Sequence, residues 1–138
     1  MKTLIVFYSR KGRTRAAAAA LATELGADLE EIRERRARKG FLGFIRSGFE
    51  ASTRRIVPIL PLTKRLADYE RVIIGTPVWA GSISSPVRSF LVAHAEELPE
   101  VGYLLTHGDR KNPYVRVMDE MDALVGKGRA FERSIADI

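Results

Sequence analysis

Leu4-Ile-Val-Phe-Tyr8 is a nearly unbroken apolar and aromatic run that stops abruptly at Ser9. A short run of that kind marks a strand buried on both faces of a sheet. From Arg13 to Leu25 the composition turns helical, with five consecutive alanines and with Leu21 and Leu25 on one face. Between them lies Ser9-Arg-Lys-Gly-Arg-Thr14, in which Gly12 can take φ > 0 or admit a ligand close to the backbone. In a strand–loop–helix turn the loop N–H groups and the positive end of the helix dipole converge on one point, where a phosphate fits. Neither Gly-x-x-x-x-Gly-Lys-Ser/Thr nor Gly-x-Gly-x-x-Gly is present. Taken alone, a turning Gly12 with solvated Lys11 and Arg13 explains the stretch as well.

The rest of the chain repeats the alternation. Gly26 suits a helix C-cap, and Asp28 to Ile32 reads as a polar edge strand. An excursion follows, in which Phe41, Phe44, Ile45 and Phe49 recur at roughly helical spacing among three glycines. It is expected to be packed, with a membrane-surface or partner-facing patch as the sharper alternative. Pro58 and Pro61 bracket a connection, and Leu62 to Tyr69 predicts a brief helix. Arg71 to Gly75 is a buried third strand, followed by a loop over 76–85. Ser85 and Pro86 form an N-cap and N1 pair. In the helix they open, Val87, Phe90, Leu91, His94 and Leu98 make a core stripe that includes a structural histidine. Val101 to Thr106 predicts a fourth strand, 107–113 a loop, and Ala130 to Ile135 a fifth strand. Before that last strand, a helix is expected to bury Val115, Met118, Met121 and Val125. This order calls for one α/β domain over residues 1–138, with a mostly parallel sheet covered on both faces. Ligands in such folds sit beyond the carboxyl ends of the strands, where three glycine-bearing loops (9–14, 76–85 and 106–113) come together.

Charge is local. The net charge is +6, and residues 33–55 alone hold eight basic side chains against two acids, so the remainder is balanced. A basic patch suits nucleic acid, an anionic membrane, an acidic protein or simply a solvated face. The chain has no cysteine, which excludes disulfides and thiolate chemistry and fits a reducing compartment. With two histidines and no clustered carboxylates, a metal centre is not expected. The N-terminus reads straight into a strand with no signal peptide, so the expected location is cytoplasmic, without stable membrane insertion.

Over nearly its whole length the sequence resembles the flavodoxin-like family of FMN-binding proteins. Tyr8-Ser-Arg-Lys-Gly-Arg-Thr14 is similar to that family's Ser/Thr-x-Thr-Gly-x-Thr phosphate loop. Tyr69-Glu-Arg-Val-Ile-Ile-Gly-Thr-Pro-Val-Trp-Ala-Gly81 resembles its third-strand signature, after which an aromatic stacks on the flavin ring. Thr106-His-Gly-Asp109 stands where the family often has Thr-x-Gly-Gly. The resemblance implies a doubly wound five-stranded parallel sheet of order 2-1-3-4-5. It also implies FMN as cofactor, held by Ser9, Arg10, Lys11, Gly12, Arg13 and Thr14 at the phosphate. Thr76, Pro77, Val78, Trp79, Ala80 and Gly81 would serve the ring, with Trp79 stacking, and Thr106, His107, Gly108 and Asp109 the pyrimidine end. Lys11 stands where the family has threonine, exchanging a hydroxyl for a cation beside a dianion.

The expected activity is electron transfer or an FMN-dependent oxidoreductase reaction, with NAD(P)H, a quinone or a redox protein as partner. No catalytic side chain stands out. The alternative is a non-redox module that engages a phosphorylated ligand, a nucleic acid or a protein through residues 33–55, nucleic acid being the less expected. Only three residues follow Ile135 here, so the C-terminal helix that the resemblance would imply is expected to be lacking. A sheet face left without that cover predicts a homodimer or other oligomer.

Overall fold

The computed structural model describes residues 1–136. Its elements are β1 (Thr3–Phe7), α1 (Arg13–Leu25), β2 (Asp28–Glu31), α2 (Gly40–Ser52), β3 (Arg71–Trp79), β4 (Ser82–Ile83), α3 (Ser85–His94), β5 (Glu100–His107), α4 (Val115–Val125) and β6 (Phe131–Ala136). Five strands run parallel in the order β2-β1-β3-β5-β6, which is the expected 2-1-3-4-5 with one addition. The two-residue β4 pairs antiparallel with the end of β3.

All five residues of β1 are buried, because the pleat sends them to two separate cores. Leu4 and Val6 enter the larger core with Val87, Phe90 and Leu91 of α3 and Met118 and Met121 of α4. Ile5 and Phe7 meet Ala18, Leu21 and Ala22 of α1. The alanine run lets α1 lie close to the sheet, and Gly75 completes that approach. A Cβ at Gly75 would stand 2.9 Å from the Cβ of Phe7 and 3.6 Å from Cγ2 of Thr14. Gly75→Ala is therefore expected to overpack this contact and cost about 1–3 kcal/mol. A lowered urea midpoint at unchanged slope would show it, and an unchanged midpoint would refute the contact.

Several expectations are corrected. The helix predicted over 62–69 shrinks to one 3-10 turn, Leu66–Asp68. The cause is Glu30, whose carboxylate accepts the N–H groups of Thr63 and Lys64 at 3.1 and 2.8 Å and holds that backbone in a loop. The third strand runs four residues past Gly75, and the predicted loop becomes a hairpin turning at Ala80 and Gly81, with φ of 50° and 71°. α3 begins at Ser85 with Pro86 second, and the hydroxyl of Ser84 bonds to Thr76 Oγ1 instead of capping the helix. In α4, Val117 is buried where Val115 was expected, and Val115 is exposed. Asn112 Oδ1 accepts the Tyr114 N–H, with Tyr114 at φ 57°, so the helix starts later than Asn112-Pro113 suggests.

The excursion departs furthest. Despite its glycines, α2 is a regular helix, and it is not packed through its large apolar residues. Gly43, Ser47, Glu50 and Ala51 face inward, while Phe41, Leu42, Phe44, Ile45 and Phe49 are exposed. What lies beneath is ionic. The Arg38 side chain, fully buried, donates to both carboxylate oxygens of Glu34 at 2.8 and 2.9 Å, to Glu50 at 2.5 Å and to Ser85 at 3.1 Å.

On the α1 side of the sheet, the face expected to be bare carries Phe131, partly buried against the core beneath α1. Phe131 lies over Gly102, where a Cβ would come within 2.7 Å of it, and the guanidinium groups of Arg71 and Arg133 flank its ring. Arg133 also reaches Glu24 of α1 at 3.0 Å. Ile135 remains exposed beside them.

Candidate functional site

The chain leaves β1 for β2 on one side and returns to β3 on the other, so the carboxyl ends of β1 and β3 part at a crevice. A cleft of about 430 Å³ opens there. Its lining combines Ser9, Arg10, Lys11, Arg13 and Thr14 after β1, Pro77, Val78, Trp79 and Ala80 of the hairpin, and Thr106, His107 and Gly108 at the end of β5. Phe44, Ser47 and Gly48 of α2 form a further wall.

The first loop is curled around its own serine. Ser9 Oγ accepts the N–H groups of Gly12 at 2.9 Å and Arg15 at 3.2 Å, which turns the chain into α1. Gly12 precedes the helix at φ 96°, a conformation that disfavours any side chain. Thr14 is buried in the first turn, and its hydroxyl lies 2.8 Å from that of Thr106, tying the first loop to the third. Arg10 is turned sideways, donating to the carbonyls of Arg38 at 3.1 Å and Gly40 at 2.9 Å, so it anchors the start of α2.

Trp79 stands at the junction of the cleft and the ionic layer. Tyr8 meets it edge-on, with centroids 5.6 Å apart, and the Arg38 guanidinium lies 5.0 Å from its ring centroid. The Tyr8 hydroxyl donates to Glu34 at 2.9 Å, and burial together with that carboxylate pushes its pKa well above the ordinary phenol range. Burial opposes the charge of Glu50. Hydrogen bonds from Ser85, Arg38 and Arg46 outweigh it and hold the carboxyl below its ordinary 4.5. At the third loop, His107 Nε2 is 2.6 Å from Ser134 Oγ and the imidazole rests on Tyr114. His107 Nδ1 is buried and, among the described residues, has no hydrogen-bond partner.

Four of the positions expected at a cofactor do not line the cleft. Gly12 lies behind the loop it turns, and Gly81 is at the exposed hairpin tip. Thr76 is buried beneath the hairpin, bonded to Ser84 and to the Pro77 carbonyl. Asp109 is exposed and accepts the Lys111 N–H, a turn-forming contact within its own loop. Phe44, Ser47 and Gly48 escaped sequence reasoning. Their helical spacing was visible, but the facing of the helix depends on Arg38, whose burial among eight basic residues has no local signature.

The sequence itself matches no protein-family model and no curated protein. Solved structures are similar in shape. A flavoprotein from Lactobacillus acidophilus, solved in complex with FMN, superposes with a TM-score of 0.78 at 21% identity, over 95% of this chain and 91% of that one. The flavodoxin, WrbA-like protein from Agrobacterium tumefaciens gives 0.61 at 16%, over 99% and 85%. Fusobacterium nucleatum flavodoxin bound to flavin mononucleotide gives 0.52 at 15%, over 95% and 69%. With the parallel order of the sheet, these likenesses establish that the chain has the flavodoxin-like fold.

Proposed function

We propose that this chain is an FMN-binding flavoprotein that acts in electron transfer or as a flavin-dependent oxidoreductase. The convergence of three loops on one cleft carries the reading: one loop brings Ser9, Lys11 and Thr14, one bears Trp79, and one brings Thr106 and His107. The FMN complexes of two proteins with this fold support it.

The donor set fits the cofactor. Ser9 Oγ already accepts two N–H bonds, so its own proton is available to a phosphate oxygen. The Thr14–Thr106 pair has two hydroxyl protons and one mutual bond, which leaves one proton for the ligand. Lys11 and Arg13 add positive charge at the same end, beside the first turn of α1. Trp79 and Pro77 offer an apolar wall to a flat ring, and Phe44 helps exclude water from it. Thr106 and His107 form the opposite side. Bound FMN supplies the redox chemistry, while these residues bind and orient it. The counterpart is NAD(P)H, a quinone or a redox protein, and a second copy on the Ile135 side of the sheet belongs to the same reading.

An FMN titration followed by flavin fluorescence tests this. Wild type should bind and turn yellow. Thr14→Ala should bind more weakly by about 1.5–3 kcal/mol, as expected when a hydrogen bond to a charged acceptor is lost. A colourless protein that takes up no FMN would favour a non-redox binding module, and equal affinity in the variant would remove Thr14 from the phosphate site.

A further inference from the structure

α2 is built inside out. A Cβ at Gly43 would lie 2.5 Å from the carbonyl carbon of Arg38, so this side is seated directly on backbone. Ser47 and Glu50 on the same side are tied to Arg38 by hydrogen bonds. The small and polar face is thereby fixed inward, and Phe41, Leu42, Phe44, Ile45 and Phe49 stand 49–80% exposed. Apolar groups concentrated in this way on one surface mark an interaction site.

The exposed charge of the 33–55 segment is one-sided. Glu34 and Glu50, the two acids of the segment, are folded underneath against Arg38 and Arg46 and do not offset the surface. Arg35, Arg36, Lys39 and Arg55 are exposed, and Arg55 lies over the Phe49 ring at 5.1 Å, its stem along the apolar face.

We propose that α2 docks the protein on the surface of an anionic lipid bilayer. Phe41, Leu42, Ile45 and Phe49 enter the headgroup boundary, and Arg35, Arg36 and Lys39 meet lipid phosphates. An anionic bilayer accepts exposed apolar side chains accompanied by cations whatever their contour, whereas a protein partner would have to bring a surface matched to them. A second copy using the same face is disfavoured, since a two-fold contact sets the same cations against each other. Phe44 belongs both to this face and to the cleft lining, so docking sets the cleft mouth at the lipid boundary.

Co-sedimentation of the full chain with vesicles of phosphatidylcholine alone, and of phosphatidylcholine and phosphatidylglycerol in equal parts, tests this. Binding to the anionic vesicles is expected, weakened by added salt and far weaker on neutral ones. Arg35→Glu with Arg36→Glu should reduce the partition constant by roughly 25-fold or more. Phe41→Ser or Leu42→Ser should each reduce it by about tenfold, with the urea midpoint unchanged. The result should be the same with and without added FMN, so the docking face and the cofactor reading fail separately. Failure to bind anionic vesicles would overturn the proposal, as would equal binding to neutral ones. So would salt-sensitive binding to polyglutamate without vesicle binding, or a dimer abolished by Leu42→Ser.

Discussion

Arg38→Leu is expected to destabilise the folded chain by about 3–5 kcal/mol, the usual consequence of removing one partner from a buried ion pair. The guanidinium is completely buried, and Glu34 and Glu50 are 5% and 11% exposed, so neither carboxylate can turn to water when the cation goes. Arg46, itself partly exposed, reaches Glu50 at 2.9 Å and Glu34 only at 4.0 Å, which leaves Glu34 without a close cation. The layer also seats α2, so Phe44, Ser47 and Gly48 should loosen along with it. A urea midpoint measures the cost. Adding Glu34→Gln and Glu50→Gln to Arg38→Leu should recover a good part of the loss, because the uncompensated charges disappear. A loss below about 1 kcal/mol would show that the cluster behaves as a solvated pair.

Acid provides a second readout of the same layer. Glu50 titrates below its ordinary 4.5 in the folded chain, so the unfolded chain binds the proton more readily. Its contribution to stability is complete above about pH 4.5 and is lost as pH falls from there toward the lower folded value. Glu50→Gln should flatten the stability profile across that window. An unchanged acid slope in that variant would mean that the carboxylate is not held by its partners.

The sheet was legible because its strands are local objects. The runs Leu4–Tyr8, Arg71–Gly75 and Val101–Thr106 are apolar apart from Arg71 and Thr106 at their ends, and burial on both faces requires that composition wherever they occur. The strand order came from the resemblance, together with the rule that parallel connections cross over. The position of the first loop was legible for the same reason, whereas the second proved to be the end of β3 and a hairpin, and β5 runs on through His107. What escaped depends on distant partners. Glu30 unmakes a helix more than thirty residues away, and Ser84 is claimed by Thr76 before it can cap α3. The inversion of α2 escaped most completely. An amphipathic period says that a helix has two faces, and only a buried cation beneath it decides which one turns inward.

Trp79→Ala is expected to weaken FMN binding by about 1–3 kcal/mol, by analogy with the loss of a base-stacking aromatic, while Trp79→Phe keeps most of the affinity. The indole is positioned before any ligand arrives. Tyr8 holds it edge-on at 5.6 Å, Arg38 lies 5.0 Å from its ring centroid, and β3 fixes its backbone at the last residue before the hairpin turn. A side chain already ordered loses little rotamer freedom on binding, so its contact area converts efficiently into affinity. The same contacts predict a smaller stability cost for the alanine variant, about 0.5–1.5 kcal/mol, from the lost edge-to-face and cation–π pairs. Trp79 is the chain's one tryptophan, so its emission reports on the cleft directly and should be quenched as FMN enters. Two outcomes separate its roles. Weaker FMN binding with a modest stability loss identifies a ring wall, whereas a stability loss with unchanged affinity would make Trp79 only a strut between Tyr8 and Arg38, and the flavin would have to lie elsewhere in the cleft.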